Sequence, residues 1–516
     1  MLLNPRYVEV ETIEYRGGLV LRVKFDDGVT SDIDFAEYLS QGEDFAPLRD
    51  RVYFEQARVE DGAIRWPDGL TIQPGTLYQQ VSADRRRGRQ RTRGLDVERI
   101  SRAFSPAKEI EDPNLFAGRR DEISAGMRAL LNRGGFLVVY GLRGVGKSSI
   151  ALQLKLIAEG DSRLPRMLSL ERLLPRRGFS FIVHYYRSDS FVAGVNELLK
   201  RMVFGDNNNP SLFSLTRSGE RRLTEFRRVA GLSGEAGIPG LRISPKSHEE
   251  KTFRVQMSDD LIQQFRTLLG TIQRDNQDRS GLLLLVDEFD RIPDKAGFAS
   301  LVKACSSDFV RFGVVGIAGS VQELIRDHVS VGRQIDDVKV PLMPVGELDQ
   351  ILRRAEYVVD NAITFSTEAA GDIVVRSEGF PFFTHLLGRE AMLLAYERGS
   401  SQVSADDIAV LSNAISAGKL RCIYEDVYHG AVKSSPQREI LLKIFAEEKE
   451  DEINSEEAYA LAREMDISNP SQLMKQFTAP DSPDASPVLV KVRTRYYRFV
   501  DPVFKTYARL RHWKYK

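Results

Sequence analysis

Cysteine is nearly missing from this chain of 516 residues. Its two copies, Cys305 and Cys422, are too few and too far apart for a disulfide framework or a cysteine-ligated zinc site. A reducing compartment is the simplest expectation. Long hydrophobic runs are missing too, since no stretch approaches the roughly 18 apolar residues of a membrane span. The opening, MLLNPRYVEVETIEYRG, has no basic segment leading into an apolar one. A soluble, cytoplasmic protein with no membrane partner is therefore expected. An excess of charge of either sign is also absent, 73 Lys and Arg balancing 73 Asp and Glu. Attraction to nucleic acid must then come from local patches. What is present, 42% hydrophobic and 28% charged residues, is a globular balance that excludes a largely disordered chain. The length calls for about three or four domains at about 100–200 residues each.

Residues 1–81 read as a small α+β domain. Tyr7–Tyr15, Leu19–Phe25 and Val29–Ile33 have strand character, and Asp26-Asp27-Gly28 supplies a hairpin turn between the second and third. Phe35–Leu39 fits a short helix, Val52–Val59 and Ala63–Trp66 further strand, and Trp66-Pro67-Asp68-Gly69 a second turn. The succession F-x-D-G, P-L-x-D and W-P-D-G resembles small bacterial domains of unknown function that also occur alone, a resemblance that implies no chemistry.

Residues 82–111 are expected to be an arginine-rich linker. The run Asp84–Gly94 holds six arginines and no apolar side chain, which cannot bury a core. Two uses are open: a solvated spacer, or an electrostatic tether in which Arg85 to Arg93 neutralise nucleic-acid phosphates. Over 112–345, the apolar runs Phe136–Tyr140, Phe179–Tyr185, Leu282–Val286 and Val314–Ala318 alternate with amphipathic stretches. That is the pattern of a parallel sheet covered on both faces. Residues 205–250, with Asn207-Asn208-Asn209-Pro210 and a Gly-, Pro- and Ser-rich stretch, read as an insertion. Residues 346–430 are helical in pattern and 431–516 change again. The expected fold class is α/β: a P-loop NTPase sheet core, a helical lid, a C-terminal winged helix and the small N-terminal domain.

Gly141-Leu142-Arg143-Gly144-Val145-Gly146-Lys147-Ser148 fits G-x-x-x-x-G-K-[ST] at every fixed position. It follows the strand Phe136–Tyr140 and precedes the helix-forming Ile150–Ala158, the context such a loop requires. The glycines let backbone amides turn toward phosphates, the helix N-terminus adds its dipole, Lys147 reaches the terminal phosphates, and the Ser148 hydroxyl ligates Mg²⁺. Val145 and Ser149 complete the set of loop residues expected at ATP. Downstream, Leu282–Val286 ends in Asp287 and Glu288. Two acids at a strand tip after a P-loop suit hydrolysis, Asp287 for the Mg²⁺ shell and Glu288 for the attacking water. Asp290 and Arg291 read as salt-bridge residues.

Phe116-Ala117-Gly118-Arg119 with Glu122, the P-loop, the L-L-V-D-E strand, Gly316-Ile317-Ala318-Gly319-Ser320 and Gly379-Phe380-Pro381 together resemble the AAA+/STAND class, near the origin-recognition and archaeal-type ATPases. The resemblance spans roughly 112–400. It implies that Phe116, Gly118 and Arg119 lie near the base and that Ser320, in place of the usual Asn or Thr, senses the γ-phosphate. By the same resemblance Arg333, before the strand Val338–Leu342, stands where the class carries its arginine finger, a surface arginine being the other reading. Pro381 opens a lid helix that contacts nucleotide in STAND members. His385 stands one turn on, where a sensor arginine is common; a phosphate contact and a packed histidine are both open.

Ser435–Ala446, Ser455–Glu464 and Pro470–Phe477 read as three capped helices, and Val488–Val492 pairs with Tyr496–Val500 around Arg493-Thr494-Arg495. Three helices and a wing make a winged helix. DNA contact is one reading, although the recognition helix carries only Lys475. In STAND proteins the module packs on the ATPase, an autoinhibitory or assembly role that the resemblance favours here. The tail mixes Lys505, Arg509, Arg511, Lys514 and Lys516 with Tyr507, Trp513 and Tyr515, either as a single-strand binder or as an amphipathic helix closing the domain. The expected cofactors are ATP and Mg²⁺. The expected partners are a second copy or a partner protein, with DNA as the alternative.

Overall fold

The computed structural model describes residues 8–40, 43–91, 94–106, 108–206, 209–217, 259–325, 332–419, 422–480 and 486–512. Most of the expected insertion, the tail residues Trp513 to Lys516, and the side chains of Arg85 to Arg93 lie outside the described residues. The chain divides into two compact units, one of residues 1–96 with 360–364 and 392–403, the other of 97–359, 365–391 and 404–516.

In the first unit, β1 (Val10–Gly17), β2 (Val20–Phe25) and β3 (Thr30–Asp34) form an antiparallel sheet in that order, and β4 (Arg58–Glu60), β5 (Ala63–Arg65) and β6 (Thr71–Ile72) a second. Alternation explains β2: Leu21, Val23 and Phe25 are buried, and the residues between them are not. The aromatic core of Phe25, Phe35, Phe54 and Trp66 is fully or nearly buried, and the Trp66 indole N–H donates to the Phe54 carbonyl at 3.1 Å.

Two expectations fail here. Val52–Val59 begins as a helix, Arg51–Phe54, because the Asp50 carboxylate accepts from the Val52 amide at 2.9 Å and caps it; strand is confined to β4. The arginine run is no irregular spacer either, since one helix covers Pro74–Arg91. A composition that excludes a core does not exclude a helix, and arginine is among the better helix formers.

In the second unit, β7 (Phe136–Gly141), β8 (Phe181–Arg187), β9 (Gly281–Asp287), β10 (Val310–Ile317) and β11 (Ile335–Val340) make a parallel sheet in the order β11-β7-β10-β9-β8. Every residue of β7 and β9 is buried, as a sheet covered on both faces requires. Strand β10 begins four residues earlier than its apolar pattern suggested. The reason is Arg311, which lies buried with its guanidinium 4.7 Å from the Phe181 ring centroid and donates to the Asn132 carbonyl at 3.0 Å. One face packs on the helix Val195–Phe204, and Leu212 and Phe213, inside the expected insertion, belong to that same core.

Beyond the sheet run the helices Val345–Val358, Thr367–Arg376, Pro381–Arg398, Ala405–Ser416 and Ile423–Val432. The C-terminal part has the expected winged form, with helices Pro436–Glu447, Ser455–Glu464 and Pro470–Thr478. The strand Tyr496–Phe499 lies between Ile453–Asn454 and Leu489–Arg493. A further helix, Pro502–Leu510, follows the wing and turns its apolar side inward, with Val503, Phe504, Tyr507 and Ala508 buried.

Candidate nucleotide site

Strand order decides where the site is. Because β10 lies between β7 and β9, the carboxyl ends of all three face one crevice, the place where parallel sheets bind ligands. A cavity of about 520 Å³ opens there.

The loop after β7 forms its floor. Gly141 lies so close under β11 that a Cβ would stand 2.4 Å from the Val340 carbonyl oxygen. Gly144 and Gly146 have φ of 78° and 94°, the left-handed region that glycine enters at little cost. Gly146 caps the helix Lys147–Glu159 without a side-chain acceptor, so the first amides of that helix remain donors for an anion. Val145 is buried, and its carbonyl accepts from Arg119 Nη2 at 2.7 Å. Lys147 is buried in the cavity wall and donates from Nζ to the Leu142 carbonyl at 2.7 Å. Burial lowers its pKa to about 8, opposed by the nearby carboxylates of Asp290 and Asp287. Ser148 and Ser149 line the cavity, and the Ser149 hydroxyl also accepts from the Ile110 amide at 3.0 Å.

The acids stand opposite. Asp287 is almost wholly buried and accepts from the Tyr185 hydroxyl and, at 2.8 Å, from the Glu288 amide. Glu288 has φ of 55° and pairs with Arg291 at 2.7 Å. Partial burial raises its pKa, and Arg291 pulls it back. Arg291 thus makes the salt bridge expected of it. Asp290 is used differently: it lines the cavity and accepts from the Ile317 amide at the tip of β10, at 2.8 Å. The donor set suits Mg²⁺, which takes one or two carboxylates, a hydroxyl and phosphate oxygens: Asp287 is a buried carboxylate and Ser148 a hydroxyl in the same cavity.

Comparison with known proteins comes in at this point. Residues 10–82 match a family described as a protein of unknown function (DUF2442). No curated protein matches the chain. Among solved structures, the chain is similar to the Walker-type ATPase PABY2304 of Pyrococcus abyssi, at 15% identity over 76% of this chain and 96% of that one, with a TM-score of 0.37. It is similar to the Aeropyrum pernix ORC2 protein in ADPNP–ADP complexes, at 15% identity over 80% and 96%, TM-score 0.37. It is similar to the Thermotoga maritima RuvB Holliday junction branch migration motor, at 13% identity over 76% and 94%, TM-score 0.35.

The other residues singled out in the sequence fall into two groups. Pro381 and His385 line the cavity. His385 is buried, which lowers its pKa to about 4 and keeps the ring neutral, and its Nδ1 accepts from the Ser105 amide at 3.3 Å. The remaining ring nitrogen then carries the proton. Phe116, Gly118, Arg119, Ser320 and Arg333 are not among the lining residues. Arg119 instead braces the loop from behind, between Glu122 at 3.0 Å and the Val145 carbonyl. The Gly118 amide donates to Gln350 at 3.2 Å. Ser320 caps the short helix Val321–Leu324. Arg333 is exposed just before β11, whose first residue pairs with Phe136 and whose last pairs with Gly141, so it stands at the sheet edge away from its own cavity.

Sequence reasoning missed one whole wall. Ser105, Pro106 and Lys108 to Ile110 line the cavity although they belong to the expected linker. They are held there by Gln153, whose Nε2 donates to the Ile110 carbonyl at 2.8 Å, and by Glu109, which pairs with Arg187 at 2.6 Å. Tyr424 and Val503 close the far side. The one signal for Val503 was Asp501-Pro502, a capped helix start: the Asp501 carboxylate accepts from the Val503 amide at 2.9 Å.

Proposed function

We propose that the chain is a molecular switch that binds and hydrolyses ATP with Mg²⁺ and couples nucleotide state to assembly or to a partner protein. One observation carries the reading: Lys147, Ser148, Asp287, Glu288, Pro381, His385, Tyr424 and Val503 face a single cavity, although they come from the sheet, the lid and the C-terminal winged domain. Phosphate charge in that space bears on all three at once.

In this reading the loop amides and Lys147 bind the phosphates, and Ser148 and Asp287 hold the metal. Bound Mg²⁺ would neutralise charge developing on the phosphate oxygens. Glu288 orients the attacking water and takes its proton once freed from Arg291. The winged domain, resting on the loop through Val503, is the autoinhibitory element. In this reading Arg333, which stands away from its own cavity, serves a neighbouring copy and ties turnover to assembly. The resemblance to STAND proteins suggests bacterial signalling or antiphage defence, with the N-terminal domain as sensor.

A second reading, a nucleotide-stabilised adaptor without turnover, is favoured by the Glu288–Arg291 pair, which occupies the base. The DNA-handling alternative draws less support, because the wing arginines Arg493 and Arg495 pair at 3.1 Å with Glu452 and Glu456.

The test is ATPase rate and assembly size, with and without DNA, for wild type and Lys147→Ala. A DNA-independent rate with ATP-dependent assembly, both lost in the variant, supports the switch. A DNA-stimulated rate favours the alternative. Nucleotide binding without phosphate release supports the adaptor.

A further inference from the structure

We propose that Asp501 makes the cavity discriminate between nucleoside triphosphate and diphosphate: its carboxylate holds Arg143 of the phosphate-binding loop, so the charge of a third phosphate must compete for that guanidinium against a fixed acid. The inference rests on the nucleotide reading above and assigns a residue outside every motif of the site.

Three contacts fix Asp501. One carboxylate oxygen accepts from the Val503 amide as the helix cap, at 2.9 Å. The other accepts from the Tyr424 hydroxyl at 3.2 Å and faces Arg143 Nε at 3.4 Å. The Asp501 side chain is 16% exposed and that of Arg143 59% exposed. The acid is therefore the anchored partner and the arginine the movable one. Arg143 lines the same cavity as Lys147 and Ser148, so a phosphate chain bound on the loop is within the reach of its long side chain.

Backbone geometry brings the acid close. Val503 Cγ2 stands 2.5 Å from where a Cβ on Gly144 would be, so the helix Pro502–Leu510 rests directly on the bare loop backbone. A larger residue at 144 would push the helix, and its cap, away. The acids that line the cavity are engaged elsewhere: Asp287 by Tyr185, Asp290 by the Ile317 amide, Glu288 by Arg291 and Glu109 by Arg187. Asp501 is the acid brought by the C-terminal domain. It repels a triphosphate more than a diphosphate, because the third phosphate adds charge while the acid stays fixed.

The release has a direction. Thr506 Oγ1 donates to Glu378 at 2.7 Å, and Arg509 pairs with the same carboxylate at 2.6 Å, just ahead of Gly379-Phe380-Pro381. When phosphate takes Arg143, the helix loses its charged tie to the loop and keeps its hold on the lid.

The experiment is equilibrium titration of the full chain with fluorescent ADP and a fluorescent non-hydrolysable ATP analogue, each with Mg²⁺. Asp501→Asn removes the charge but keeps the cap through its one oxygen, and its NH2 can donate to the Tyr424 hydroxyl oxygen in place of the bond it accepted before. It should tighten the ATP analogue about fivefold and ADP by less than about twofold, as for a largely solvent-screened pair. High salt should shrink the difference. Equal change for both nucleotides, or no change, overturns the role of Asp501 while leaving the nucleotide site intact. Wild type that binds neither, or Lys147→Ala that binds both as well as wild type does, overturns the nucleotide reading and this inference with it.

Discussion

The two walls of the cavity are built on different principles. The sheet wall comes from three short segments, Arg143–Ser149, Asp287–Arg291 and Gly316–Ile317, each at the carboxyl end of a strand of the parallel sheet. The opposite wall is assembled from pieces far apart in the chain, Ser105 to Ile110, Pro381 to His385, Tyr424 and Val503. The first is rigid because its backbone is fixed by the parallel ladder. The second is held by side chains, Gln153 on residues 110 and 111, Ser105 on His385, Asp501 on Tyr424. The wall anchored to the strands carries the loop proposed for the phosphates, and the adjustable wall the residues proposed to respond to them.

Substitutions can break or sharpen this contrast. The largest effect is expected on the sheet wall: Glu288→Gln should lower steady-state phosphate release by about 10²–10⁴-fold with nucleotide affinity kept. Unchanged turnover would remove hydrolysis from that wall. Lys147→Ala should weaken nucleotide affinity by about 100-fold, the worth of a desolvated charge-assisted contact, read by fluorescence titration. A third test needs no substitution. Lys147, with its pKa lowered to about 8 by burial, must be protonated to hold phosphate, and it gives up its proton as pH rises. Affinity should therefore fall about tenfold from about pH 7 to about pH 9, and a flat profile would place the lysine outside the phosphate contacts. The smallest effect is expected on the adjustable wall: Thr506→Val removes one hydrogen bond to Glu378 and should speed amide exchange in Pro502–Leu510 about fivefold, without changing exchange in the strand Phe136–Gly141. Equal acceleration in both would mean that the walls do not differ in the way argued here.

The same contrast explains what was legible beforehand. The glycine-rich loop, the paired acids and all five core strands could be read, the last of them as Val338–Leu342 against the observed Ile335–Val340, because each is a local pattern: an apolar run, a glycine spacing, a capped helix start. Residues 105–110 could not, since Ser-Pro-Ala-Lys-Glu-Ile carries no motif and their use depends on Gln153 and Arg187 well downstream. Arg311 hid the start of β10, because a buried arginine over an aromatic ring reads as an interruption. Arg119 shows the limit of inference by resemblance. Placed near the base by analogy, it is a buried brace whose guanidinium holds the Val145 carbonyl. The wing arginines are phosphate contacts only in the DNA reading of the winged helix, and their partners Glu452 and Glu456 become visible only in the folded domain.

The closeness of Val503 to Gly144 also has a consequence for how the protein comes into being. On the ribosome the glycine is made long before the valine. Until residues 502–510 emerge, the loop backbone at Gly144 is without the Val503 side chain that rests on it in the finished fold. If the loop holds nucleotide as proposed, a ligand that enters during that interval is in place before the helix arrives to cover it.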